Sequence, residues 1–146
     1  MMAELPTIPL DYKPSADEDY MSPMQLAYFQ AKLRAWKKEI LESTQETVEH
    51  LKADSLKTPE AMDRISLETE TSIELRTRDR MRKLISKIDA ALERISTGEY
   101  GYCEVTGDEI GLGRLEARPV ATMTVEAQEK HERFEKGHID RDVNLF

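Results

Sequence analysis

Apolar residues recur in the first half of the chain at alternating spacings of three and four. Leu26, Phe29, Leu33, Trp36 and Ile40 form one such series, the seam of a coiled-coil helix. It weakens at Ser43 and Thr47 and returns at Leu51, and no Pro or Gly interrupts residues 24–58. The start is marked by Ser22-Pro23-Met24-Gln25. Ser22 accepts from the free N–H groups of the first turn, Pro23 occupies the first helical position, and Gln25 completes a capping box. Ala53–Lys57 reads as a turn, and Thr58-Pro59-Glu60 restarts the pattern with Thr58 as N-cap. A second seam follows through Met62, Ile65, Thr69, Ile73, Thr77, Met81, Leu84, Ile88, Ala91 and Ile95, ending at Thr97-Gly98. Two long helices joined by a short turn bury these stripes only when antiparallel, as a projecting hairpin extending roughly 45–55 Å at 1.5 Å per residue.

The flanks have a different texture. Residues 1–22 contain Pro6, Pro9 and Pro14 and predict an irregular arm, partly tied down by Ile8, Leu10 and Tyr12. Residues 98–123 hold five of the six glycines and predict a small knuckle with turns, packed through Tyr100, Tyr102, Ile110, Leu112, Leu115, Val120 and Met123. Thr124 caps a final helix over roughly 125–137, which Gly137 ends, and the tail to Phe146 is expected to be loose. The expected fold is therefore mainly α. It comprises an arm (1–22), a coiled-coil hairpin (23–97, tip near 54–63), and a globular part (98–146) with a knuckle and a C-terminal helix.

Composition fits an elongated shape. Of 146 residues, 39% are apolar and 34% charged, a thin core under a large wet surface. The net charge of −8 disfavours free-standing binding to DNA. The apolar runs are far too short for a membrane span, and no signal peptide is evident at the N-terminus. The single Cys103 excludes an internal disulfide and fits a reducing cytoplasm.

Charge is split along the second helix. Between Glu60 and Glu74 there are five acids and one base; between Arg76 and Lys87 there are six bases and one acid. Spaced pairs such as Glu74–Arg78 and Asp79–Lys83 account for part of this as a solvated face. Yet Arg76, Arg80, Lys83 and Lys87 share one face, which suits an anion. Near the tip, Glu60 and Asp63 either complement the helix dipole or form a carboxylate that a rod can deliver into a narrow hole.

Cys103 and Thr106 have the spacing of a C-x-x-C zinc knuckle, and Thr124 and Ala127 repeat it. One thiolate does not make a structural zinc site, which takes four sulfur or nitrogen ligands, so no metal is expected unless ligands such as His131 join from elsewhere. Glu104 and Asp108 are expected to raise the Cys103 pKa, which favours a buried structural thiol over a nucleophile. No phosphate-binding glycine loop or serine elbow is present, and no enzymatic activity is expected.

Three segments, ELRTRDRMRKLISKID, GEYGYC and IGLGRLEARP, resemble the DksA/TraR family of bacterial transcription regulators. The lead-in DYMSPMQLAYFQAKLRAWKKEI is similar to DksA proper, so the likeness spans roughly residues 18–137. The pattern Cys103, Thr106, Thr124, Ala127 resembles the cysteine-poor branch of alphaproteobacteria. The resemblance implies a coiled-coil hairpin on a degenerate zinc-finger domain, with no zinc or other tightly bound cofactor. It implies a cytoplasmic monomer that does not bind DNA directly and inserts its tip into the secondary channel of RNA polymerase. With guanosine tetraphosphate as co-regulator, such proteins repress ribosomal RNA promoters and activate amino-acid biosynthesis promoters. By position, the family's essential tip aspartate falls on Asp63 and its companion acid on Glu60. Polymerase- and alarmone-binding positions fall on Arg80, Leu84, Lys87 and Arg118. The small residue usual after the tip aspartate is Ile65 here, and a family lysine of the last helix falls on Gln128. A transcript-cleavage type of secondary-channel factor and a purely structural coiled coil are the alternatives.

Overall fold

The structure is a computed structural model that describes the backbone of residues 4–55 and 61–144, with side chains over 4–46, 49 and 68–137. Four helices follow in order: α1 (Pro23–Ser55), α2 (Ala61–Thr97), α3 (Leu112–Ala117) and α4 (Val125–Asn144). The first two run antiparallel. Phe29 stacks on Tyr100 just beyond α2, at 5.7 Å between ring centres, and eight residues further along α1 Lys37 pairs with Asp89 at 2.7 Å.

Local sequence signals set the helix starts. The Ser22 hydroxyl accepts from the Gln25 N–H at 3.3 Å. The reciprocal half of the capping box is shifted by one residue. The Gln25 side-chain oxygen accepts from Met21 N–H at 2.8 Å, because Met21 turns into the left-handed region at φ 54°. Gln25 is fully buried, and its amide also donates to the Ser15 carbonyl and to Glu18. One side chain thus caps α1 and folds the arm back onto it. In α4 the Thr124 hydroxyl accepts from Ala127 N–H at 3.1 Å, as expected of an N-cap.

The core lies at the base of the hairpin, where Phe29, Leu33 and Ile40 of α1 meet Ile88, Ala91 and Ile95 of α2, with Tyr100, Cys103, Ile110, Leu115 and Val120 continuing the cluster into the globular part. All seven apolar residues expected to pack the knuckle are buried or lie against this cluster. Further out, two helices alone shelter only a narrow stripe. Thr69, Ile73 and Thr77 of the expected seam are exposed, Ile73 by 56%.

Other expectations require correction. Helix α1 continues through Ala53, Asp54 and Ser55, where a turn was expected; Leu56 to Glu60, including the Thr58 cap, lie outside the described residues. Helix α4 runs through Gly137 to Asn144 instead of ending there, since a single exposed glycine costs only about 1 kcal/mol against alanine. The six-residue α3 was not anticipated. Of the expected arm anchors Leu10 is fully exposed, while Ile8 is partly buried and Tyr12 bonds Glu18 and packs on Tyr28; Leu5 and Tyr20 join them against the core.

The knuckle is a narrow loop. Tyr102 and Glu109 form an antiparallel bridge, Cys103 N–H donates to the Asp108 carbonyl at 2.8 Å, and Ile110 N–H donates to the Gly101 carbonyl at 2.8 Å. Its open end is clipped by the arm. The Tyr20 hydroxyl donates to the Gly101 carbonyl at 2.7 Å and accepts from Gly111 N–H at 2.9 Å. Gly101 is required here on two counts: its φ is +90°, and a Cβ would lie 2.7 Å from the Met21 side chain. Tyr20→Phe leaves the Gly111 N–H without a partner, a loss of about 1–3 kcal/mol. The midpoint of thermal unfolding followed by circular dichroism should then fall by about 3–8 °C, and an unchanged midpoint would refute the clip.

Candidate functional site

The hairpin base carries a cationic cleft of about 260 Å³. Lys87 of α2, Arg114 of α3 and Arg118 just after α3 bring cations to it, and Gln128 of α4 contributes an amide. Ala90, Val120 and Met123 form its apolar floor. The arginines reach it together because α3 is helical: Arg114 and Arg118 are four apart and fall on one flank, and Arg118 N–H donates to the Arg114 carbonyl at 2.8 Å. The Nε of Arg114 is buried without a hydrogen-bond partner. Three cationic side chains lining one cleft suit an anion with several oxygens.

Of the positions expected to bind polymerase or alarmone, Lys87 and Arg118 share this cleft. Leu84 is partly buried one turn away against the core. Arg80 is exposed further up α2 and does not line the cleft. It continues a ridge with Arg76, Lys83 and Lys87, all exposed, along which Lys83 pairs with Asp79 at 3.6 Å. Arg114 was missed from sequence. Its signal was the four-residue spacing to Arg118 within LGRLEARP, hidden because Gly111 and Gly113 suggested a turn. At the other end, Asp63 lies in the first turn of α2. Its side chain, that of Ile65, and the whole of Glu60 lie outside the described residues.

The four degenerate zinc positions come together. Cys103 and Ala127 are both buried in the core cluster. Burial pushes the thiol pKa up. Against it, the Thr106 hydroxyl and the N–H groups of Thr106, Thr124 and Val105 donate to the sulfur, bringing it down from 9.0 to about 7. This reverses the expectation that Glu104 and Asp108 raise it: both carboxylates are exposed, and the sulfur meets donors instead. Zinc does not fit these residues. One thiolate, two hydroxyls and a methyl fall short of four ligands, and hydrogen-bond donors already surround the sulfur. His131 pairs with Glu135 at 3.0 Å along exposed α4. Among the described residues, no cluster of three or more His, Cys, Asp or Glu could hold a metal ion.

The geometry defines a class: a helical hairpin with a cationic cleft at its base, mounted on a small zinc-finger-like domain. Residues 25–95 match the family described as DnaK suppressor protein DksA, N-terminal domain, and residues 98–133 match the prokaryotic dksA/traR C4-type zinc finger. The chain belongs to the DksA family. It is 60% identical to the RNA polymerase-binding transcription factor DksA of Caulobacter vibrioides over 89% of this chain and 92% of that protein. Identity to the Escherichia coli K12 protein of the same name is 41%, over 86% and 83%. The solved structure of transcription factor DksA2 from Pseudomonas aeruginosa superposes with a TM-score of 0.77 at 37% identity, covering 85% of this chain and 94% of that one. These relatives are named as transcription factors, not enzymes. Among the described residues, no helix is long and apolar enough to cross a membrane.

The Cys103 environment has a measurable consequence. Its folded pKa is depressed, so between pH 7 and 9 the unfolded chain binds more protons than the folded one. The stability it contributes is complete above pH 9 and lost as pH falls through 7. The stability difference between wild type and Cys103→Ala in urea titrations should therefore widen from pH 7 to pH 9. Thr106→Val should raise the thiolate titration midpoint seen by ultraviolet absorbance. Pairs of curves parallel in pH would contradict this.

Proposed function

We propose that this protein is a regulator that binds bacterial RNA polymerase and passes its hairpin tip into the secondary channel. With guanosine tetraphosphate as co-regulator it represses ribosomal RNA promoters and activates amino-acid biosynthesis promoters. It acts in the cytoplasm as a monomer and makes no direct contact with DNA. The observation that carries this reading is the separation of charge along α2. Asp63 and Lys87 stand 24 residues apart, roughly 36 Å along the helix axis. That exceeds the screening length of about 8 Å several times over, so each end acts on its own surroundings. An anion bound among Lys87, Arg114 and Arg118 sits where the rod joins its base, at the mouth of any pore the rod enters. The similarity to proteins named as RNA polymerase-binding factors supports the choice of partner.

In this reading Asp63 acts after docking, with Glu60 as its companion acid, and Arg80, Leu84 and Lys87 serve polymerase binding. Gln128 stands where relatives of the family carry a lysine, and Arg114 adds a cation to the same cleft. The knuckle folds without zinc.

In transcription assays on a ribosomal RNA promoter, Asp63→Asn should abolish the shortening of promoter-complex lifetime. Its affinity for polymerase should stay within about threefold of wild type, the scale of a single surface ion pair. Equal loss of binding would sink the claim that the tip acts after docking. Stimulated RNA cleavage in a backtracked complex would favour the transcript-cleavage alternative. Elemental analysis of the purified protein should find no stoichiometric zinc, and one atom per chain would overturn the metal-free knuckle.

A further inference from the structure

Helix α3 separates two clefts, and its flanks differ in chemistry. Successive residues turn by about 100°, so Arg114 and Glu116 stand about 200° apart on opposite sides. Arg114 faces the cationic cleft towards α2. Glu116 faces a second cleft towards α1, lined with Lys32, Trp36, Ala117 and Pro119. There the Glu116 carboxylate accepts from the Tyr28 hydroxyl at 2.7 Å and from Lys32 Nζ at 2.6 Å. Lys32 also donates to the Glu116 main-chain carbonyl at 3.1 Å, in the last turn of α3.

A helix of six residues has little stability of its own. Its N-cap residue is Gly111, which makes no side-chain cap bond. Its placement therefore comes from tertiary anchors. Leu115 is fully buried, and the Tyr100 hydroxyl donates to the Pro119 carbonyl at 2.8 Å. Leu115 points from α3 into the core, about 100° round from both Arg114 and Glu116, and restrains one side of the helix, while the Pro119 contact lies beyond its end. The contact at Glu116 is off-axis, on the flank opposite the arginines.

We propose that Tyr28, Lys32 and Glu116 form a positioning latch, a second off-axis restraint beside Leu115, that fixes the rotation of α3 and thereby holds Arg114 and Arg118 in the cleft with Lys87. The latch touches no ligand; it acts through the arginines. Tyr28 is a lasting donor, since burial and the Glu116 carboxylate beside it raise its pKa to about 12. The Glu116 carboxyl is pushed up by burial but more strongly lowered by Lys32 and Tyr28, so it stays charged near neutrality. The proposal rests on the anion-binding reading of the cleft given above.

The test uses full-length protein with RNA polymerase and a ribosomal RNA promoter, titrating guanosine tetraphosphate. Glu116→Ala should raise the concentration giving half-maximal inhibition about three- to fivefold, the scale of one partly exposed ion pair with its hydrogen bond. Inhibition without guanosine tetraphosphate and the thermal midpoint should stay at wild-type values. The charge-exchanged double variant, Lys32→Glu with Glu116→Lys, should return the half-maximal concentration to within about twofold of wild type. Lys87→Ala is the control for the cleft itself. A shift with Lys87→Ala but none with Glu116→Ala overturns the latch. No shift with either overturns the cleft reading, and the latch with it. If Glu116→Ala lowers the thermal midpoint, Tyr28→Phe carries the same test, because it keeps the ion pair and removes one contact.

Discussion

The hydrogen bond from the Tyr100 hydroxyl to the Pro119 carbonyl lies in the driest part of the molecule. A phenol buried there without a partner costs about 1–3 kcal/mol, so this acceptor fixes where the chain after α3 must run. The ring itself packs on Phe29 of α1. One residue thus joins the first helix, the end of the second and the return from the third. Because burial and nearby Tyr20 and Glu116 hold its pKa above the ordinary phenol range, it remains a donor throughout the physiological range. The rod is anchored at this point, and the cleft beside it takes its shape from the same anchor.

Two solutions to holding a small domain together meet here. The family's finger is described by four cysteines. In this chain the same corner is closed by N–H and O–H donors around one sulfur, by the buried Ala127, and by the Tyr20 hydroxyl at the opposite end of the loop. A metal concentrates cohesion at one point. The present arrangement spreads it over bonds worth about 1 kcal/mol each, so the loop depends on the arm as well as on its own residues.

What could be read from the chain was what neighbours decide. The caps at Ser22 and Thr124 use residues within three positions, and the seam at the base is a stripe that local spacing defines. The charge split of α2 was equally visible. Helix α3 was not, because its own sequence favours a turn and only Leu115, sunk in the core, makes it a helix. Arg114 was lost with it. The Cys103 pKa was misjudged for a related reason: charges adjacent in sequence point to solvent, while the groups that matter are donors brought in from Thr106 and Thr124. Ile73 keeps the seam's period although it is more exposed than buried, since a period does not reveal how many elements are present to bury it.

The clip at Tyr20 bears on the order in which the molecule assembles. Its two hydrogen bonds join residues 81 and 91 positions apart. The chain leaves the ribosome N-terminus first, so the arm emerges long before the loop it will fasten. The hairpin helices, rich in local contacts, close on the microsecond-to-millisecond scale, whereas distant pairings wait for the intervening chain. The arm, made before the hairpin, is therefore the last to find its place, and its docking completes the fold.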